Sequence, residues 1–311
     1  MSSHQPVLMT EALEGLAVSE DGWYVDGTYG RGGHSAAILA RLAAAGRLLA
    51  LDKDPEAVAH ARRSLAADAR FCVRHGGFEQ LREHVEPWLD GHPLAGVLLD
   101  LGVSSPQLQA PERGFSFDRD GPLDMRMNTA EGITAQGWLR GATEAQLADV
   151  LRRFGEEPRA RQIARAVVRA RTQTPITTTG QLARIVAGAA RGTARRIHPA
   201  TRTFQAIRIH INQELTALER GLTASLALLA EGGRLCVISF HSLEDRIVKR
   251  FLARQAKGDP AYAGLPQVPA GARATLRLIG GLIRPTEAEV AANPRARSAR
   301  LRVAEKLGAS R

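Results

Sequence analysis

Three aspartates close three apolar runs: Asp26 ends Trp23-Tyr24-Val25, Asp52 ends Arg47-Leu48-Leu49-Ala50-Leu51, and Asp100 ends Leu94-Ala95-Gly96-Val97-Leu98-Leu99. Runs this short, rich in aromatic and aliphatic residues, predict buried strands. In a parallel sheet the carboxyl ends of the strands share one edge, where α/β proteins bind their ligands. Three carboxylates on one rim favour a ligand that presents positive charge.

The segment after Asp26 sharpens that chemistry. Gly27-Thr28-Tyr29-Gly30-Arg31-Gly32-Gly33-His34 supplies a glycine-rich turn, and Ser35 to Ala45 predicts the helix that follows. A pyrophosphate at this turn would meet the Asp26 anion, a repulsion on the order of kcal/mol. The dinucleotide fingerprint also fails, because Ser35 stands where Gly or Ala allows close helix packing. S-adenosylmethionine carries an ammonium and a sulfonium and no phosphate, so it fits the rim. Asp52, 22 residues after Gly30, is placed to hold ribose hydroxyls. Asp54-Pro55 then predicts a helix start, with Asp as N-cap and Pro at the first position. Phe71 to Phe78 predicts a third strand and its loop. Phe78 has two readings, a stacking partner for adenine or an ordinary core residue.

Longer motifs point to a family. The Asp-Gly-Thr-x-Gly-x-Gly-Gly-His turn, Asp100-Leu101-Gly102-Val103-Ser104-Ser105-Pro106-Gln107-Leu108, Arg113-Gly114-Phe115-Ser116-Phe117, Pro122-Leu123-Asp124-Met125-Arg126-Met127 and Ser239-Phe240-His241-Ser242-Leu243-Glu244-Asp245-Arg246 together resemble the bacterial ribosomal small-subunit RNA methyltransferase H family, the MraW type. The resemblance runs from His4-Gln5-Pro6-Val7 nearly to the C-terminus. It implies methyl transfer from S-adenosylmethionine to the exocyclic amine (N4) of a cytidine in the decoding region of 16S rRNA. It also implies cofactor contacts from Gly32, Gly33, His34, Asp52, Phe78, Asp100 and Gln107, to which the charge argument adds Asp26.

Composition bounds the class. The chain has 311 residues, 44% of them hydrophobic, enough for a sizeable core. No run approaches the ~20 apolar residues of a membrane span, and the N-terminus has no apolar signal region. Cys72 and Cys236 sit inside apolar runs and have no metal-type spacing. A soluble, cytoplasmic protein without a metal is expected; a homodimer stays open.

The net charge of +10 is concentrated. Between Arg152 and Arg202 lie twelve Arg, no Lys, and only Glu156 and Glu157 as acids. Ala160, Ile163, Ala164, Val167 and Val168 recur at helical spacing, while Arg161, Arg165 and Arg169 repeat every four residues on another face. That stripe is either a solvated face or a surface for the RNA backbone, where Arg forks onto phosphate.

The strand pattern stops after Gln107 and resumes at Arg234 to Phe240. Between them we expect helices at roughly 134 to 153, 157 to 171 and 179 to 190, then one long helix from Phe204 to Leu229. The fold class expected is α/β, a Rossmann-like class I methyltransferase sheet with an inserted helical domain. The core would comprise 1–107 and 205–311, and the insertion, 108–204, would grip the RNA substrate (16S rRNA or the small ribosomal subunit). Ala274 to Ile279 and Ala299 to Ala304 should form a final antiparallel pair.

Catalysis needs an acceptor for the proton that the cytosine amine loses, and the base must leave its stack to react. Many amine methyltransferases carry an acidic or amide residue followed by Pro-Pro-aromatic after the fourth strand; here Asp100-Leu101-Gly102-Val103-Ser104-Ser105-Pro106 stands instead. Asp100 is the first candidate for the acceptor, with Ser104 and His241 behind it. His241 is either a substrate contact or a helix-start residue, because Ser242-Leu243-Glu244-Asp245 reads as a cap for a helix at Leu243 to Ala253. His198, between Arg196 and Arg202, is either an RNA contact or a turn residue. The rivals are an amine methyltransferase of DNA or another RNA and, more remotely, an NAD-dependent oxidoreductase.

Overall fold

Seven strands form one sheet: β1 (Trp23–Asp26), β2 (Arg47–Asp52), β3 (Phe71–His75), β4 (Leu94–Asp100), β5 (Leu229–Ser239), β6 (Leu276–Ile283) and β7 (Arg300–Lys306). The computed structural model describes residues 6–65, 67–190, 198–258, 260–262, 269 and 272–308. The order is β3-β2-β1-β4-β5-β7-β6. The first five strands run parallel, and β7 lies antiparallel between β5 and β6. This is the α/β sheet expected from the sequence, parallel through its first five strands with an antiparallel pair at one edge.

Period-two alternation explains why both faces are covered. Leu49, Leu51, Val97, Leu99, Leu235 and Val237 point to one face. There they meet α4 (Leu81–Leu89), α11 (Glu214–Leu228) and α12 (Ser242–Lys257). Tyr24, Leu48, Leu98, Cys236 and Ile238 point to the other face, against α1 (Met9–Leu16) and α2 (Gly33–Leu39). Ala50 meets α3 (Pro55–Ser64) there. Asp54 starts α3, its carboxylate accepting the Glu56 N–H at 2.9 Å with Pro55 behind it. The final antiparallel pair runs later than the sequence suggests, and its connection carries α13 (Glu287–Ala292) and a short 3-10 turn.

The chain divides into two compact units, 1–102 with 215–311, and 103–214. The second contains α5 (Ser105–Gln109), α6 (Ala135–Gly141), α7 (Glu144–Gly155), α8 (Ala160–Gln173), α9 (Thr179–Ala189) and α10 (Thr201–Asn212). Its core joins Phe115, Leu123 and Met125 to Leu139, Leu151, Ile163, Val167, Leu182, Phe204 and Ile207. The divisions lie five and ten residues from 107 and 204, because Val103 packs on this core and α10 helps to build it.

Two expected helices are broken. The segment 134–153 is α6 and α7, because Thr143 caps a new helix by accepting the Gln146 N–H at 3.2 Å. The run 204–229 is α10 and α11, interrupted at Gln213, whose φ of 51° is left-handed. The helix expected at 35–45 is shorter, ending at Leu39. Arg191, Arg195 and Arg196, like His4 and Gln5, lie outside the described residues.

Candidate cofactor site at the strand tips

Asp26, Asp52 and Asp100 end three adjacent parallel strands, β1, β2 and β4. The glycine-rich turn is pinned to both neighbours of β1. Gly27 N–H donates to the Leu98 carbonyl and Tyr29 N–H to the Leu51 carbonyl, both at 2.9 Å. Gly30 and Gly32 take φ of 56° and 76°, which side chains resist. A Cβ on Gly32 would also lie 2.5 Å from the Tyr29 hydroxyl. Gly33 is small for another reason: its Cβ position is filled by the Pro6 ring. Packing against the N-terminal segment, apart from any approach of a ligand, therefore demands glycine there.

The acids differ in environment. Asp26 is buried, 1% exposed. Its Oδ2 accepts the Ser35 hydroxyl at 2.7 Å and its Oδ1 the Thr28 N–H at 3.1 Å. Burial pushes its carboxyl above the usual range, against the opposing pull of Ser35, His34 and Thr28. Asp52 accepts Gly30 N–H at 2.7 Å and Asp54 N–H at 2.8 Å. Burial outweighs those two donors and raises it to about 6. Asp100 is held by its backbone, whose N–H donates to the Thr28 hydroxyl at 2.6 Å. Its Oδ2 lies 3.6 Å from His34 Nε2, an ion-pair distance, while Oδ1 is buried without a partner.

His34, in the first turn of α2, is 5% exposed, and its Nε2 faces Asp100 across that ion pair. Burial opposes its protonation, but Asp100 and Asp26 outweigh that and hold the imidazole above its ordinary value. The buried Asp100 Oδ1, which has no hydrogen-bond partner, can accept from a ligand's ammonium, and the imidazole beside it offers positive charge to a carboxylate. The acceptors of Asp52 suit hydroxyls. The residues present thus fit S-adenosylmethionine, and a phosphate finds no counter-charge among the three acids.

Phe78 opens the 3-10 turn Phe78–Gln80 after β3. It is wedged between glycines: a Cβ on Gly221 would lie 2.6 Å from its ring, and one on Gly27 3.2 Å from its Cβ. It packs against the core on one side and stays partly exposed on the other. Gln107 belongs to the helical unit, where it is buried in α5 and its Oε1 accepts the Ser104 N–H at 2.8 Å.

His241 caps α12 itself, one residue earlier than the expected capping sequence. Its Nδ1 accepts the Glu244 N–H at 3.3 Å, and Glu244 returns an oxygen to the N–H groups of Phe240 and His241. The capping role is therefore occupied. His198 is also tied into its turn, accepting the Ala200 N–H at 3.2 Å and lying 4.6 Å from the Phe117 ring. On α8, Arg161, Arg165 and Arg169 are exposed, opposite buried Ile163, Ala164 and Val167. Among the described residues, Arg165 alone of these three meets an acid, Glu144 at 3.5 Å.

Sequence reasoning missed Thr28 and Ser35, the two hydroxyls that organise the acids. Ser35 carries a signal, its misfit to the dinucleotide pattern; Thr28 carries none beyond its place in the turn motif.

The profile of the MraW methylase family matches residues 1–307. A Xanthomonas campestris pv. campestris (strain B100) protein called "Ribosomal RNA small subunit methyltransferase H" is 53% identical over 311 residues, covering 99% of this chain and 88% of its own. A Xylella fastidiosa (strain M23) protein of the same description is 54% identical over 310 residues, with coverages of 98% and 97%. Among solved structures, a putative rRNA-methylase from Clostridium thermocellum aligns over 98% of both chains at 12% identity with a TM-score of 0.46, too slight to bear on the chemistry. The chain belongs to the MraW methylase family, whose methyl donor is S-adenosylmethionine.

Proposed function

We propose that this protein methylates the exocyclic N4 amine of a cytidine in the decoding region of 16S rRNA, as free RNA or in the small subunit. The observation that carries the reading is the Asp26, Asp52 and Asp100 rim with its glycine turn, in a chain more than half identical to proteins named for small-subunit rRNA methylation. Asp52 would hold the ribose hydroxyls, Asp26 and His34 the amino-acid end, Gly32 and Gly33 the backbone approach, and Phe78 one face of the adenine. Gln107, from the helical unit, is assigned to the cofactor by the family resemblance.

When bound, the cofactor supplies an electrophilic methyl on a sulfonium. Asp100 accepts the proton that leaves the amine as the N–C bond forms and the methyl's bond to sulfur breaks, the electron pair staying on sulfur, and its backbone anchor to Thr28 fixes the carboxylate for that task. His241, engaged with Glu244, is the weaker acceptor. Ser35 under Asp26 favours this reading over an oxidoreductase, because the helix start that would receive pyrophosphate already spends its Ser35 hydroxyl on a buried carboxyl. The helical unit, with seventeen Arg and no Lys among 103–214, would grip the RNA, with Arg161, Arg165 and Arg169 on phosphates.

The test is transfer of radiolabelled methyl to small subunits, free 16S rRNA and DNA in parallel, followed by nucleoside digestion. Label in N4-methylcytidine from the ribosomal substrates supports the reading. Label in DNA alone, or on another nucleoside, overturns it.

A further inference from the structure

The helical unit carries a row of rings that its core does not explain. Trp138 of α6 lies 4.5 Å from His210 of α10, centroid to centroid. Phe154 of α7 stacks on the same imidazole at 6.4 Å with planes 26° apart. The Arg153 guanidinium sits over Phe154 at 5.4 Å. Trp138 and Phe154 edge the hydrophobic core, yet both are partly exposed, as is His210.

Trp138 and His210 are half-buried, and among the described residues neither the indole N–H nor the imidazole makes a hydrogen bond. Burial lowers His210, which keeps the imidazole neutral at physiological pH. Arg140, Arg152 and Arg153, on the helices that carry the rings, are exposed, and Asp149 pairs with Arg152 at 2.7 Å and Arg153 at 3.4 Å. Aromatic and guanidinium planes with free donors, set among arginines, are what unpaired bases stack on; a duplex hides its base faces.

We infer that Trp138, His210, Phe154 and Arg153 form a stacking platform for single-stranded RNA, separate from the phosphate stripe on α8. The inference rests on the RNA-substrate reading and names the form of RNA that this unit grips: bases splayed from a single strand, as a cytidine withdrawn from its stack requires.

The test uses the full chain with Trp23→Phe and Trp88→Phe, leaving Trp138 as its one tryptophan. A labelled single-stranded oligoribonucleotide and its duplex are titrated, with anisotropy reporting binding and Trp138 emission reporting stacking. The single strand should quench Trp138 and the duplex should bind without quenching. His210→Ala, checked for folding by circular dichroism, should weaken the single strand by about fivefold to a hundredfold and leave the duplex unchanged. Single-strand binding without quenching, or equal quenching by the duplex, would return the rings to a core-margin role. Failure of both RNAs to bind would overturn the rRNA reading together with this one.

Discussion

Protonation of Asp52 should weaken cofactor binding in acid. In the free protein burial raises this carboxyl from 3.8 to about 6, although Gly30 and Asp54 each donate an N–H to it. Two pKa units correspond to about 3 kcal/mol against the ionised form. The sign follows: a raised acid contributes stability in its protonated form below 3.8, and that contribution is lost as pH rises through 6. A ligand whose hydroxyls donate to Asp52 needs the carboxylate and must expel the proton in acid. With a value near 6, about nine-tenths of Asp52 is ionised at pH 7 and about one-tenth at pH 5, so affinity should fall about tenfold between them. Calorimetric titration of S-adenosylmethionine from pH 5 to 8 measures this directly. Asp52→Asn should flatten that part of the profile and weaken binding at pH 7.5 by about 1–3 kcal/mol, the loss of charged hydrogen bonds. Asp26 and His34 remain in the variant, so it isolates the Asp52 contribution. A wild-type affinity that does not change from pH 7 to 5, or an Asn variant with the wild-type profile, would refute the assignment of Asp52 to the ribose.

Ser35→Ala removes the 2.7 Å donor from buried Asp26 and should cost about 1.5–3 kcal/mol at pH 8. The loss should shrink toward pH 5, where the raised Asp26 is more protonated; thermal melts at both pH values check it. Gly32→Ala forces a side chain into φ 76° and against Tyr29, costing about 1–2 kcal/mol from the backbone alone. It should lower the melting temperature and cofactor affinity together, as differential scanning fluorimetry with and without ligand will read. Replacing Arg161, Arg165 and Arg169 with Gln should reduce the log–log salt slope of RNA binding by about 2 and leave cofactor affinity in place. An unchanged slope in a folded triple variant would make the stripe a solvated face.

Local physics explains what could be read without coordinates. The strands ending at Asp26, Asp52 and Asp100 announce themselves through apolar runs, and parallel pairing then brings three carboxylates to one rim. The Asp54-Pro55 helix start and the positive φ of Gly30 and Gly32 are also settled by neighbouring residues. Identity came from long motifs, not from any one of these signals. Folding alone decided the partners that are distant in sequence. Thr28 receives the Asp100 N–H across 72 positions, and Pro6 fills the space beside Gly33. His34 gains its character from Asp100 and Asp26, which no helical pattern connects. The break at Gln213 leaves no mark in the sequence, because Phe204 to Leu229 keeps helical periodicity on both sides of one left-handed residue. Composition likewise revealed the arginines but not the Trp138–His210–Phe154 row, because its rings come from three helices and meet only when those helices pack.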